Sequence, residues 1–147
     1  MNKLALKQEI IRVQRENLEA VELEYAEFNE NTKLKLQDNL DTDDLSHRTQ
    51  AEEYSQVFDK QIHNISDNIE KISKISFDKK DKIGLGAVAK VNGQNYIIGI
   101  PACQFDFEGE NFIAMSSEAP LFIAMMNKSI NETFSFNDKS FLVEDIH

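Results

Sequence analysis

Between Leu4 and about Leu36 the chain contains neither proline nor glycine and is dense in Glu, Lys, Gln, Leu and Ala. A stretch of that length, built from helix formers and free of breakers, predicts one long helix. Leu4, Ile11, Leu18 and Tyr25 fall seven residues apart, and Val21 and Phe28 occupy the neighbouring seam position, so the helix should carry one sticky stripe. Residues 38–46 interrupt it with a cluster of cap and turn residues. A second helix is expected from Asp44 or Ser46 to Ser76, with Ala51, Tyr54, Phe58, Ile62, Ile65, Ile69 and Ile72 at alternating steps of three and four. Two such helices joined by a short polar loop predict an antiparallel hairpin, a coiled coil spanning residues 1–77.

At 1.5 Å per residue a helix of roughly 30 residues runs about 45 Å, longer than a small domain is wide. The hairpin is therefore expected to project, with its loop as a tip. That loop holds Asp38, Asp41, Asp43 and Asp44. Read from the residues alone, such carboxylates form a solvated turn that favours the start of the second helix.

The periodicity changes after Phe77-Asp78-Lys79-Lys80-Asp81, where β-branched residues and turn dipeptides take over. Strands are expected at 83–91, 94–101, 111–115, 132–136 and 140–146. Asn92-Gly93 is a two-residue hairpin signal, and the loop around Phe107-Glu108-Gly109-Glu110 and the turn at Asn137-Asp138 separate later strands. One helix is expected over 119–126, with Ser117 or Glu118 near its cap and Pro120 in its first turn. Residues 78–147 thus predict a small, mostly antiparallel β domain with one short helix, and the chain as a whole reads as α+β.

Composition narrows the function. A formal net charge of −10 disfavours a protein that holds nucleic acid by neutralising phosphates. The acidity is spread evenly over the two halves. No apolar run is long enough to span a bilayer, and the first residues return to charge too soon for a signal peptide, so a cytoplasmic protein is expected. A single cysteine, Cys103, excludes an internal disulfide, and His47, His63 and His147 are too scattered for a Cys/His zinc site. Gly84-x-Gly86 lacks a third glycine and a following helix, so it reads as a strand entrance.

The run Ser116-Ser117-Glu118-Ala119-Pro120-Leu121-Phe122-Ile123-Ala124-Met125-Met126-Asn127-Lys128-Ser129-Ile130-Asn131 resembles the C-terminal signature of the Gre family of bacterial transcription elongation factors. The family pattern is approximately S-x-x-S-P-hydrophobic-G-K-A-L-hydrophobic-G-K-x-V-G-D. Pro120, Ala124, Met125, Met126, Lys128 and Ile130 keep its frame, while its glycines appear as Phe122, Asn127 and Asn131. Ile83 to Val91 is similar to the family's L-G-S-x-V-x-V strand, and Asn95 to Ile100 to its second strand. The resemblance implies an FKBP-like C-terminal domain that docks on the rim of the RNA polymerase secondary channel. Pro120, Leu121, Phe122 and Lys128 are its docking candidates.

It also implies a hairpin that threads the channel, with tip carboxylates helping to hold a magnesium ion shared with the polymerase. Asp41, Asp43 and Asp44 are the candidates here, Asp44-Leu45-Ser46 matching the family's D-L-S. His47 and Arg48 stand where the family has glutamate and asparagine. Three functions follow: a factor acting on paused or backtracked polymerase, a channel-occupying regulator that supplies no metal ligand, or a coiled-coil interaction module with another partner. In each the protein is a monomer, has no cofactor of its own and is not an enzyme in isolation.

Overall fold

A computed structural model describes residues 1–38, 44–100 and 103–147, side chains at 36–38 and 44–45 excepted. Two long helices, α1 (Lys3–Asp38) and α2 (Asp44–Lys74), precede β1 (Val88–Val91), β2 (Gln94–Ile98), β3 (Cys103–Phe107), β4 (Glu110–Met115), α3 (Pro120–Met125), β5 (Thr133–Phe136) and β6 (Lys139–Ile146). The protein is α+β, its six-stranded sheet running in the order β3-β4-β2-β1-β6-β5. All pairings are antiparallel except β2 with β4, which are parallel.

The chain divides into two compact units, residues 12–69 and residues 1–11 with 70–147. The dividing points fall inside both helices and not at the 77/78 linker, because the helix bases have partners of their own. Lys7 Nζ donates to the carbonyls of Ser73 at 2.7 Å and Ile75 at 2.8 Å, and sits 5.6 Å from the centroid of the Phe77 ring. Lys3 Nζ donates to the Asp78 carbonyl at 2.8 Å. Leu6, Ile10 and Ile72 are fully buried in this unit.

Within residues 12–69 aromatic rings fix the antiparallel register. Tyr25 stacks on Phe58 at 5.4 Å between centroids, and Phe28 lies 5.8 Å from both Phe58 and Tyr54. The expected stripe holds at Leu18, Val21, Tyr25 and Phe28 and along α2 from Phe58 to Ile72, with Tyr54 exposed, but it shifts phase at the base of α1. Leu4 is 66% exposed, and the buried positions there are Leu6, Ile10 and Gln14. A straight α-helix turns 3.6 residues per turn, so steps of four replace the strict seven-residue repeat at this end.

The sheet unit departs from expectation in three places. The expected strand over 83–91 begins only at Val88, since Gly84 to Ala87 form a turn closed by the Ala87 N–H on the Gly84 carbonyl at 2.9 Å. The expected strand over 94–101 ends at Ile98, and Pro101 lies outside the described residues. An unexpected edge strand, β3, pairs with β4 through a turn in which Glu108 and Gly109 both hold positive φ, 52° and 81°. Asn92-Gly93 and Asn137-Asp138 adopt the same left-handed pair, as the primed hairpin turns require. At α3 the cap is Ala119, without a side-chain hydrogen bond, and Ser117 and Glu118 stand just before it as expected.

One face of the sheet packs against α3: Ala89, Val91, Ile98, Val143 and Ile146 join Ile83, Met115 and Phe134, and α3 adds Phe122 and Met125, while the other face buries Val88, Ile97, Phe112 and Ala114. Strand β6 shifts register between its pairings of Asp145 with Lys90 and Val143 with Val91, leaving Glu144 as the extra residue of a bulge.

Candidate functional site

The site that the described residues present is the surface of α3 and the turn after it. Pro120 fixes φ at the first helical position, where no backbone N–H is needed. Phe122 and Met125, three apart, turn inward, so the same short helix must turn Ile123 outward. Ile123 is 61% exposed, and Pro120, Met126 and Ile130 are exposed as well. Among the docking candidates, Phe122 is only 5% exposed and its ring belongs to the core; Leu121 and Lys128 are half-buried. Ile123, Met126 and Ile130 were not among the docking candidates, because two residues three apart name an inward face only once the sheet beneath them is known.

The turn is held by backbone hydrogen bonds on both sides. Asn127 N–H donates to the Ile83 carbonyl at 2.9 Å, and Ile83 N–H returns to the Lys128 carbonyl at 2.9 Å. Asn131 N–H donates to the Val143 carbonyl at 2.8 Å, and Val143 N–H to that of Glu132 at 2.9 Å. The apolar side chains of this surface are thus carried on a fixed backbone. Glu132 closes the turn from the solvent side, its Oε2 accepting from Ser129 N–H at 2.5 Å. That hydrogen bond holds its carboxyl below the ordinary glutamate value, aided by the charges of Lys128 and Lys82.

Asn127 and Asn131 hold φ at 62° and 68°. Both are left-handed positions, which asparagine tolerates better than other residues with a Cβ. Phe122, by contrast, lies in helical conformation within α3.

Of the tip candidates, Asp41 and Asp43 lie outside the described residues, and Asp44 opens α2 with its side chain outside them. His47 and Arg48 follow in the first turns of α2, both exposed. Among the described residues no group of three or more His, Cys, Asp or Glu is placed to hold a metal ion. No helix among them is long and apolar enough to cross a membrane. Cys103, at the start of β3, is a half-buried thiol.

No family model and no curated protein matches this chain. A solved structure described as "Structure of the transcription factor Gfh1" is similar at 19% identity and a TM-score of 0.36, over 93% of this chain and 92% of that one. Likeness at that level settles neither family nor activity, so the functional reading stands on the residues themselves.

Proposed function

We propose that this protein is a Gre-like factor that binds RNA polymerase, docking through the surface around α3 and inserting its helical pair into the secondary channel, where it acts on paused or backtracked complexes. The observation that carries the reading is the backbone at 127 and 131. The family pattern has glycine at both positions, and both asparagines here hold positive φ, so the substitutions keep a conformation that glycine adopts freely. The frame residues Pro120, Ala124, Met125, Met126, Lys128 and Ile130 surround them. The long antiparallel helices and the small sheet with one short helix are the elements such a factor needs, and in this reading the sheet unit is the FKBP-like domain.

A second reading, occupation of the channel without stimulated cleavage, is favoured by the exposed His47 and Arg48 in place of the family's glutamate and asparagine. A hard cation such as magnesium takes oxygen ligands, which a histidine and an arginine do not offer. Two measurements test both readings. Core RNA polymerase should co-purify with the protein, and Ile123→Asp should weaken that capture; absence of binding would end the proposal. Cleavage of a labelled backtracked transcript, titrated with magnesium, should show little stimulation. Strong cleavage lost when Asp41, Asp43 and Asp44 are all changed to Asn would instead establish the metal-delivering reading.

A further inference from the structure

On the sheet face opposite the α3 core, the register brings together residues that no expectation assigned. Asp145, Lys90, Asn95 and Phe112 are successive cross-strand neighbours on β6, β1, β2 and β4. Phe107 and Glu110 pair at the β3–β4 turn. These six line, with His147 and Glu108, a cavity of about 320 Å³. That volume lies at the small end of ligand pockets.

We infer that this cavity binds a planar cation, a guanidinium or amidinium group. Three carboxylates, Glu108, Glu110 and Asp145, line it together with two amines, those of Lys90 and Met1, so carboxylates outnumber cations and an anion would meet an excess of like charge. Two of the groups that could favour an anion are engaged. Asn95, 93% buried, donates its amide to Glu110 Oε2 at 2.8 Å, and His147 Nε2 lies 3.0 Å from Asp145 Oδ2. Glu110 Oε1 lies 3.9 Å from Lys90 Nζ, beyond hydrogen-bonding distance, and so has room to accept from a ligand. A guanidinium is flat, donates through paired N–H groups and stacks on aromatic rings, and half-buried Phe107 supplies a ring set edge-on to Phe112 at 6.3 Å. A compact ammonium would use the carboxylates but not the ring. The site does not depend on polymerase binding.

The same chemistry is offered by a free small molecule or by a partner's arginine, and two probes separate them. Agmatine is titrated into the full-length chain, followed by amide NMR shifts, in parallel with a blocked Gly-Arg-Gly peptide and with propionate. Saturable shifts centred on Lys90, Asn95 and Glu110 are expected for agmatine and not for propionate. Binding of agmatine alone assigns the site to a small ligand; equal binding of the peptide assigns it to a partner's arginine. Glu110→Gln should weaken agmatine about tenfold, and Lys90→Met, which removes the competing internal cation, should tighten it several-fold. No saturable shift up to about 10 mM, equal binding of propionate, or unchanged affinity in a folded Glu110→Gln variant overturns the inference.

Discussion

The two units of this chain are ordered by different means. Residues 70–147, with the first eleven, bury Ile83, Ile97, Ile98, Ile100, Met125 and Val143 completely. Among the described residues of 12–69, Val21 and Ile65 are the buried hydrophobics, and Gln14 is the buried polar residue. Since stabilisation scales with apolar area removed from water, the sheet unit holds most of the folding free energy, and the helical pair depends on half-exposed ring contacts and on helix propensity. Such a division suits the proposed role, in which the helices would act by reach and the sheet unit by presenting a fixed surface. It also predicts that comparable substitutions differ sharply in effect between the two units.

The sheet unit should break most severely at Gly86. Its φ is +76°, and a Cβ there would lie 2.1 Å from the Ser76 carbonyl oxygen. A backbone atom cannot swing aside as a side chain does. Gly86→Ala should cost about 4 kcal/mol, combining left-handed strain with a forced shift of the 75–76 segment. Gly93 has nearly the same φ, +79°, with nothing within 4 Å of its Cβ position. Gly93→Ala should cost only about 1 kcal/mol, the conformational part alone. Urea midpoints of the two variants give the comparison, and equal losses would show that the approach to Ser76 is not what constrains this unit.

The helical unit should respond next. Phe58→Ala removes the shared partner of Tyr25 and Phe28 and should cost about 2 kcal/mol, less than a fully buried ring because the site is open on one side. The loss should appear as faster amide exchange along residues 12–69 with protection of β1, β2 and β4 unchanged. Global unfolding by this one substitution would mean that the two units share one cooperative transition. Gln14→Leu should act in the opposite direction, stabilising the pair by about 1 kcal/mol, because a buried amide is replaced by an apolar side chain on the packed stripe. A destabilised variant would show that Gln14 is needed where it stands.

How far the sequence reveals each region follows from the same contrast. Helical periodicity is a local signal repeated over many turns, so α1 and α2 were legible to within two residues at every end the structure describes, and so was the stripe from Leu18 to Phe28. The base of α1 was not, because Leu6 and Ile10 are buried by tertiary packing that a seven-residue count along one helix does not contain. Strand β3 was missed although Cys103 to Phe107 alternates half-buried, exposed, buried, exposed, half-buried. Its polar residues Gln104 and Asp106 sit on the exposed face of an edge strand, so the run did not read as a strand, although the loop at 107–110 that follows it was expected. At the candidate site Pro120 and the turn asparagines were visible, but the surface was not. Which residue of a six-residue helix points outward depends on where the sheet lies beneath it.

The smallest expected effect tests whether the turn beneath the candidate surface is held electrostatically. Glu132 is fully exposed, and its carboxyl is depressed below 4.5 by the Ser129 N–H, with Lys128 and Lys82 contributing. A carboxyl depressed in the folded state binds fewer protons there than in the unfolded chain, so its contribution is present above the ordinary glutamate value and is lost as pH falls through the folded one. Glu132→Gln should therefore lower thermal stability slightly at neutral pH, and its curve should converge on that of the unmodified protein as pH falls below the ordinary glutamate value and through the lowered folded one. Raising the salt should shrink the charge part of the difference contributed by the lysines while leaving the hydrogen bond to Ser129. Because Glu132 belongs to the sheet unit, amide exchange in residues 12–69 should not change with this substitution at any pH. Parallel pH curves for the two proteins would show that the turn is fixed by the backbone bonds of Asn127, Asn131 and Val143 alone.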